Sequence, residues 1–469
     1  MMLALFLVYL LTFVFTAQKK LSLARELDLI PSFIWTIGIV IPFIFQYQSF
    51  NPEFVPIQTF GIFCIGFTLV LGDLSHFYLY ELKRTKKSAK IKPESLLPVG
   101  YLLFTAFVLI QTIGIARMPH IPLYWKWFAP KGTLSNLDLA KMREAAAKTL
   151  TVSPLFMYLT NASVNVLGPA SIAIFANAKK YRWVLICFVT IGICSRITNA
   201  KSPFYVVCLF CIGIAWLNLN LDLRKTLLKA GTAVCTLILV SVALLLSIHR
   251  FGAFKYRVQD GDRFDKTALP KLTEIQKSVF TTPDHMRRVS DLNKDYYDQS
   301  QILLEANYFV YRFFLVPTEV AHWWYIYYPR INGAYLGFSG LNFRDRHNPA
   351  FVHPANRVGI MAFSERHPGH YLNTVSAFGS VDADAYSRWG FWGIVAISCL
   401  LFLFRLSVKF FSLPGFWGEF FGFGINTILA YTLPSGSFLA ALIAQGAFVY
   451  FALELGLWLL VRRKAWVRG

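Results

Sequence analysis

Ile394-Val395-Ala396-Ile397-Ser398-Cys399-Leu400-Leu401-Phe402-Leu403-Phe404 is an almost unbroken apolar run at the centre of a longer segment, 387–408. A helix needs about 20 mostly apolar residues to cross the hydrocarbon of a bilayer, and this segment supplies them. Working outward, similar segments occur at 1–17, 30–48, 55–76, 96–116, 152–176, 181–196, 203–219, 228–248, 415–433 and 436–461. Composition agrees. Of 469 residues 56% are hydrophobic and 15% charged, against roughly 45–50% and 25% in soluble domains. The expected fold is an all-α polytopic membrane protein of about 11 transmembrane helices, with 1–469 forming a single transmembrane domain. The run from Met1 to Thr16 has no basic residues before it, only Lys19 and Lys20 after it, and so reads as a retained span rather than a cleaved signal.

The formal charge of +21 is assigned to topology rather than to nucleic acid, because cytoplasmic connections of membrane proteins collect Lys and Arg. Alternate connections carry the charge: Lys19, Lys20 and Arg25; Lys83, Arg84, Lys86, Lys87, Lys90 and Lys92; Lys179, Lys180 and Arg182; Arg224, Lys225 and Lys229; Arg405 with Lys409; and Arg462, Arg463, Lys464 and Arg468. The short connections between them are nearly empty of it. With an odd number of spans, the N-terminus is expected outside, which in a bacterial inner membrane would be the periplasm, and the C-terminus in the cytoplasm. The smaller loop, 117–151, and the large loop, 250–386, then both lie outside.

All seven cysteines sit in or beside apolar segments and read as small apolar fillers. Asp73, His76, Glu419 and Glu454 are the main ionisable groups deep in the spans, open to either a transport role or a packed structural one. In the smaller loop, Ser135-Asn136-Leu137-Asp138 is a helix-start pattern. On that helix Arg143 shares the apolar side with Leu139, Ala146 and Leu150, either snorkelling to headgroups or holding a ligand.

The large loop holds six of the nine histidines. Its first fifty residues read as a solvated excursion. Tyr308-Phe309-Val310-Tyr311-Arg312-Phe313-Phe314-Leu315-Val316-Pro317 follows, with Glu305, Tyr308 and Arg312 on one face of an amphipathic helix that Pro317 interrupts or kinks. Arg312 either closes an intrahelical relay to Glu305 or grips an anion. Trp323, Trp324, Tyr325, Tyr327 and Tyr328 could stack on sugars, but are read in preference as interfacial aromatics. Between Arg330 and Tyr386 no regular period is found, only a segment rich in Gly, Pro, His and Arg, with Arg344, Arg346, His347, His353, Arg357, Glu365, Arg366, His367, His370, Asp382 and Asp384. His367-Pro368-Gly369-His370 lacks a zinc spacing, and no metal is assigned. Arginines, a lone base and a membrane suit lipid pyrophosphate chemistry, because guanidinium forks match phosphate oxygens.

Three stretches resemble the Wzy-type O-antigen polymerases, the oligosaccharide repeat unit polymerases. They are Ala200-Lys201-Ser202-Pro203-Phe204, Tyr311-Arg312-Phe313-Phe314-Leu315-Val316-Pro317, and the run from Asp382 to Gly393 with its paired glycines. Where some family members place a glycine eleven residues after an arginine in each outer loop, Arg143 meets Pro154 and Arg357 meets Pro368. The resemblance implies a metal- and nucleotide-independent glycosyltransferase without cofactors. It would take undecaprenyl-pyrophosphate-linked oligosaccharide donor and acceptor among the membrane lipids, with a separate chain-length-regulating co-polymerase as partner. Arg312, with Lys201, Arg357 and Arg143, would hold the donor pyrophosphate. His370 is the candidate base, with Asp382, Asp384, His367 and His353 as competitors. An O-antigen ligase of similar span plan and a lipid-linked oligosaccharide flippase or transporter are the alternatives.

Overall fold

A computed structural model describes residues 2–22, 26–47, 50–83, 93–118, 120–128, 142, 146, 154–197, 202–220, 222–224, 226–227, 316–338, 354–363, 378–413 and 415–467. The described chain is all-helical, without strands among those residues. Its helices in order are α1 (Met2–Ser22), α2 (Glu26–Gln46), α3 (Val55–Lys83), α4 (Leu97–Ala116), α5 (Pro122–Phe128), α6 (154–177), α7 (Tyr181–Arg196), α8 (Ser202–Leu217), α9 (Val316–Ile326), α10 (Pro354–Phe363), α11 (Val381–Phe411), α12 (Phe416–Thr432) and α13 (Ala447–Val467). Five helical segments are long and apolar enough to cross a membrane: Glu26–Gln46, Val55–Ser75, Pro93–Ala116, Tyr158–Asn177 and Val381–Phe411. Four shorter apolar helices accompany them, as a polytopic membrane protein requires. The expected span at 228–248 lies outside the described residues.

Helix irregularities follow from particular residues. α2 widens into a π turn at Thr36–Val40 just before Pro42, and α6 does so at Ser163–Leu167 just before Pro169. Proline lacks an N–H and its ring crowds the carbonyl four residues back, so the preceding turn must loosen. The expected single span at 436–461 is instead two pieces. A π turn at Ala440–Ala444 ends at Gln445, the chain breaks at Gly446, and α13 begins at Ala447. The backbone and side chain of Gln445, left at that break, are bound by Asn165 from the π turn of α6: its Nδ2 lies 3.0 Å from Gln445 Oε1 and 3.2 Å from the Gln445 carbonyl. A break inside an apolar bundle persists only where neighbours satisfy its polar groups.

α3 and α11 pack along their length. Phe60 stacks on Phe391 with centroids 4.7 Å apart near one end. Further along, Gly72 lies flat against Arg405, where any side chain would collide with the guanidinium. Small residues allow this close approach between membrane helices. Arg405 donates to Asp73, with both side chains almost fully buried, and to Asn426 Oδ1 at 3.3 Å. Ser32 from α2 donates to the other oxygen of Asp73 at 3.1 Å.

The same level of the bundle holds more buried charge. Lys409 pairs with Asp28 at 2.5 Å, and Arg224 bridges Glu26 at 3.0 Å and Glu419 at 3.3 Å. Trp216 donates to Glu26, and Glu454 accepts the Leu413 N–H at 3.0 Å. Arg405 and Lys409, read as part of a positively charged connection, are buried cations, because acids on α2 and α3 lie opposite them. Asp73, Glu419 and Glu454, left open between a transport role and a packed structural one, are each engaged by protein donors. The six described cysteines form no disulfide.

Arg405→Met is expected to lower stability by about 3–5 kcal/mol, the cost of removing one partner from a buried ion pair. Asp73→Asn combined with Arg405→Met is expected to recover most of that loss, as measured by thermal unfolding of the purified protein in detergent.

Candidate functional site

The end of the bundle away from that charge layer is built by α9, α10 and the start of α11. Pro317 lies near the start of the described part of α9, and the preceding segment that it was expected to interrupt or kink lies outside the described residues. α9 then runs into a π turn, Tyr327–Ile331, in which Tyr328 leaves helical geometry at φ −114° and ψ 121°. The residue before a proline is pushed toward extended backbone, and Pro329 follows Tyr328.

α9 is fastened to α2 and α3 by its polar face. His322 stacks on Phe50 at 4.3 Å, accepts the Asn51 N–H at Nε2 over 2.9 Å, and places Nδ1 2.8 Å from Gln58 Oε1. A backbone N–H donor at Nε2 and an amide carbonyl at Nδ1 fix a neutral imidazole with its proton on Nδ1. Thr318 donates to Gln46. Trp323, Trp324, Tyr325 and Tyr328 are all buried, which corrects their reading as an interfacial belt. Tyr325 turns inward on α3 and α11, while exposed rings at this end include Tyr335, Phe338, Phe378, Phe391 and Trp392.

α11 begins earlier than the expected 387, at Val381, and so takes Asp382 and Asp384 out of the irregular loop. Ser380 precedes it with extended backbone, and its carbonyl accepts the Asp384 N–H at 2.9 Å. Two turns later the helix is interrupted at Trp389 and Gly390. Gly390 has φ +62°, a left-handed conformation that other residues adopt only with strain. The carbonyls exposed by this interruption are met by the 336–337 backbone: Leu336 N–H donates to Ser387 O at 2.8 Å and Gly337 N–H to Arg388 O at 3.0 Å. Arg388 returns the contact, giving Nη1 to the Gly337 carbonyl at 3.1 Å.

The candidate site lies along this short first piece of α11. Asp382 is fully buried, accepting from the Tyr325 hydroxyl at 2.9 Å and the Ser380 hydroxyl at 2.5 Å. Asp384 receives a two-pronged guanidinium, with Arg388 Nε and Nη2 each 3.1 Å from one of its oxygens. Tyr386 stacks on Tyr325 at 4.6 Å and meets Tyr335 edge-on at 5.8 Å. Arg357, half-buried on α10, hydrogen-bonds Tyr327. Burial pushes the Tyr327 phenol above its usual pKa and the Arg357 charge pulls it back. Arg330 on the rim pairs with Glu53.

Of the residues singled out in the sequence, Asp382, Asp384 and Arg357 are therefore brought to one end of the bundle. Both carboxylates are already held by protein donors, so they position the piece from Val381 to Arg388. Arg312, Lys201, Arg143, His370, His367 and His353 lie outside the described residues. Arg388 belongs to the site and was not singled out for chemistry; Tyr325 and Tyr328 also belong to it, where the sequence reading favours interfacial rings over sugar stacking. The i, i+4 spacing of Asp384 and Arg388 is the signal that points to their pairing once a helix is recognised there. α10 likewise stands in the stretch where no regular period was found. Comparison with protein-family models, curated proteins and solved structures returned no match for this chain.

Gly390→Ala is expected to destabilise by about 1–2 kcal/mol, because it forces a β-carbon into left-handed backbone and against the Tyr335 hydroxyl. Hydrogen exchange at the Leu336 and Gly337 amides is expected to quicken in the same variant.

Proposed function

We propose that this protein polymerises undecaprenyl-pyrophosphate-linked oligosaccharide repeat units at the periplasmic face of a bacterial inner membrane. The topology that goes with this reading has about eleven spans, a periplasmic N-terminus and a cytoplasmic C-terminus, with loops 117–151 and 250–386 facing the periplasm. A hydroxyl on the non-reducing-end sugar of a newly delivered lipid-linked unit attacks the anomeric carbon of the growing glycan. A new glycosidic bond forms, the bond from that carbon to the pyrophosphate oxygen breaks, and undecaprenyl pyrophosphate departs with the electron pair. The hydroxyl proton passes to a base, for which His370 is the candidate. Arg312, Arg357, Lys201 and Arg143 are the candidate cations for the pyrophosphate.

The observation that supports the reading is Arg357. It is a half-buried guanidinium with no carboxylate partner among the described residues, acting with Arg388 on Tyr328, at one end of a set of membrane-length helices. A guanidinium offers a planar fork of donors matched to phosphate oxygens, and positive groups fixed at a site stabilise the charge released on a leaving pyrophosphate. Arg388, already committed to Asp384, adds charge without surrendering its own contacts. The positive-inside pattern supports placing the long polar connections on the side where lipid-linked units are assembled into polymer. A chain-length-regulating co-polymerase is the expected partner.

A strain lacking the protein is expected to make lipopolysaccharide core bearing a single repeat unit and no long ladder on a gel. The intact gene restores the ladder, whereas Arg357→Ala and Arg312→Lys shorten or abolish it at normal protein levels. Finished polymer that accumulates unattached to core in the deletion strain would instead identify a ligase. Repeat units retained on the cytoplasmic side would identify a flippase.

A further inference from the structure

The Tyr328 side chain is fully buried, yet its hydroxyl has no hydrogen-bond partner among the described residues. A buried polar group left unsatisfied lowers stability, and phenylalanine would fill the same space without that penalty. The surroundings of the hydroxyl are charged. Burial keeps the phenol protonated well above its ordinary pKa, with Tyr327 and Asp384 acting in the same direction and the Arg357 and Arg388 guanidiniums opposing them. The group is therefore an O–H donor at neutral pH.

Asp384 is not its acceptor in this structure: the Tyr328 hydroxyl has no partner among the described residues, and Asp384 is held by Arg388. Arg388 is paired with Asp384, whereas Arg357 has no carboxylate partner among the described residues. Arg357 contributes one contact to Tyr327 and has further N–H donors. A protonated phenol and an incompletely used guanidinium close to one another are complementary to an anionic oxygen.

We propose that the Tyr328 hydroxyl and the Arg357 guanidinium are paired donors to one pyrophosphate group, an assignment that rests on the polymerase reading for the lipid-linked form of that group. Tyr328 thereby becomes a substrate-binding residue. Tyr327 is a positioning residue that holds the Arg357 fork toward it, and Arg388 is kept in place by Asp384.

The test uses the full-length protein in lipid nanodiscs, titrated by calorimetry with inorganic pyrophosphate and, separately, with undecaprenyl pyrophosphate. Tyr328→Phe is expected to weaken binding about tenfold, the order expected for loss of one hydrogen bond to a charged group, while the unfolding temperature holds or rises. Arg357→Lys is expected to weaken it as well, and adding Tyr328→Phe to that variant to have a smaller effect than it has alone, because the two donors share one ligand.

Unchanged affinity in Tyr328→Phe with a raised unfolding temperature would mark a merely packed phenol and overturn the proposal. Should that variant fail to fold, unchanged affinity in Arg357→Lys would overturn it equally, as would wild-type protein that binds neither probe. Binding of the lipid form alone supports a site that also reads the membrane-embedded chain, and equal binding of both supports one that reads the pyrophosphate only. A normal ladder in the deletion strain, alongside Tyr328-dependent binding, would remove the polymerase reading and leave the anion site standing.

Discussion

The buried pairing of Asp73 with Arg405 is the constraint around which the described helices are arranged. Taking either charge out of water alone is costly, and inside a bilayer there is no solvent to soften the penalty. The pair therefore permits only registers of α3 against α11 in which the two groups meet, and the absence of a side chain at Gly72 lets the guanidinium lie flat between the helices. Asn426 ties α12 to the same guanidinium, and through Asp28 that connection reaches Lys409 and the start of α2. Such pairs need not add net stability over an apolar substitute; their effect is to exclude other arrangements of slippery apolar surfaces.

With the register fixed at that level, the other end of the bundle is fixed too. Ile394 is buried against α3, and the two turns before it fold back, carrying Asp382 and Asp384 into protein instead of leaving them in solvent. The interruption at Gly390 makes this fold-back possible, and the exchange of bonds between Arg388 and Gly337 closes it. α9 is attached separately, by His322 and Thr318 reaching α2 and α3. The result is a rigid polar floor of satisfied carboxylates, with the half-buried Arg357 at its edge as the group whose charge is left over.

The broad architecture was legible because membrane-length apolar runs and alternating clusters of Lys and Arg are local signals. What was not legible came from pairing at a distance. Arg405 and Lys409 look like the cytoplasmic flank of a span when only their own segment is read. Nothing near them in sequence announces Asp73 or Asp28. The aromatic run at 323–328 suggested an interface because Trp and Tyr are common there, but whether a ring faces lipid or protein depends on the neighbouring helix, which a single segment does not contain. The start of α11 was missed for a different reason. A hydropathy window discounts a first turn carrying two aspartates, while the capping position of Ser380 and the spacing of Asp384 and Arg388 argue for a helix from Val381 onward. At 436–461 the same averaging bridged a break that a single residue, Gly446, introduces.

The separation of Asp73 and Arg405 in the chain, 332 residues, also bears on how the protein is made. At about 5–20 residues per second of synthesis, α3 exists for roughly 15–70 s before its arginine has been translated. During that interval the hydroxyl of Ser32, on a helix completed earlier, is a native partner already available to the carboxylate. The first half of the molecule must therefore wait in the bilayer as an incompletely neutralised assembly, with a polar seam that only the late arrival of α11 closes. Completion of the chain, rather than entry of its early spans, is then the step at which the bundle acquires its final packing.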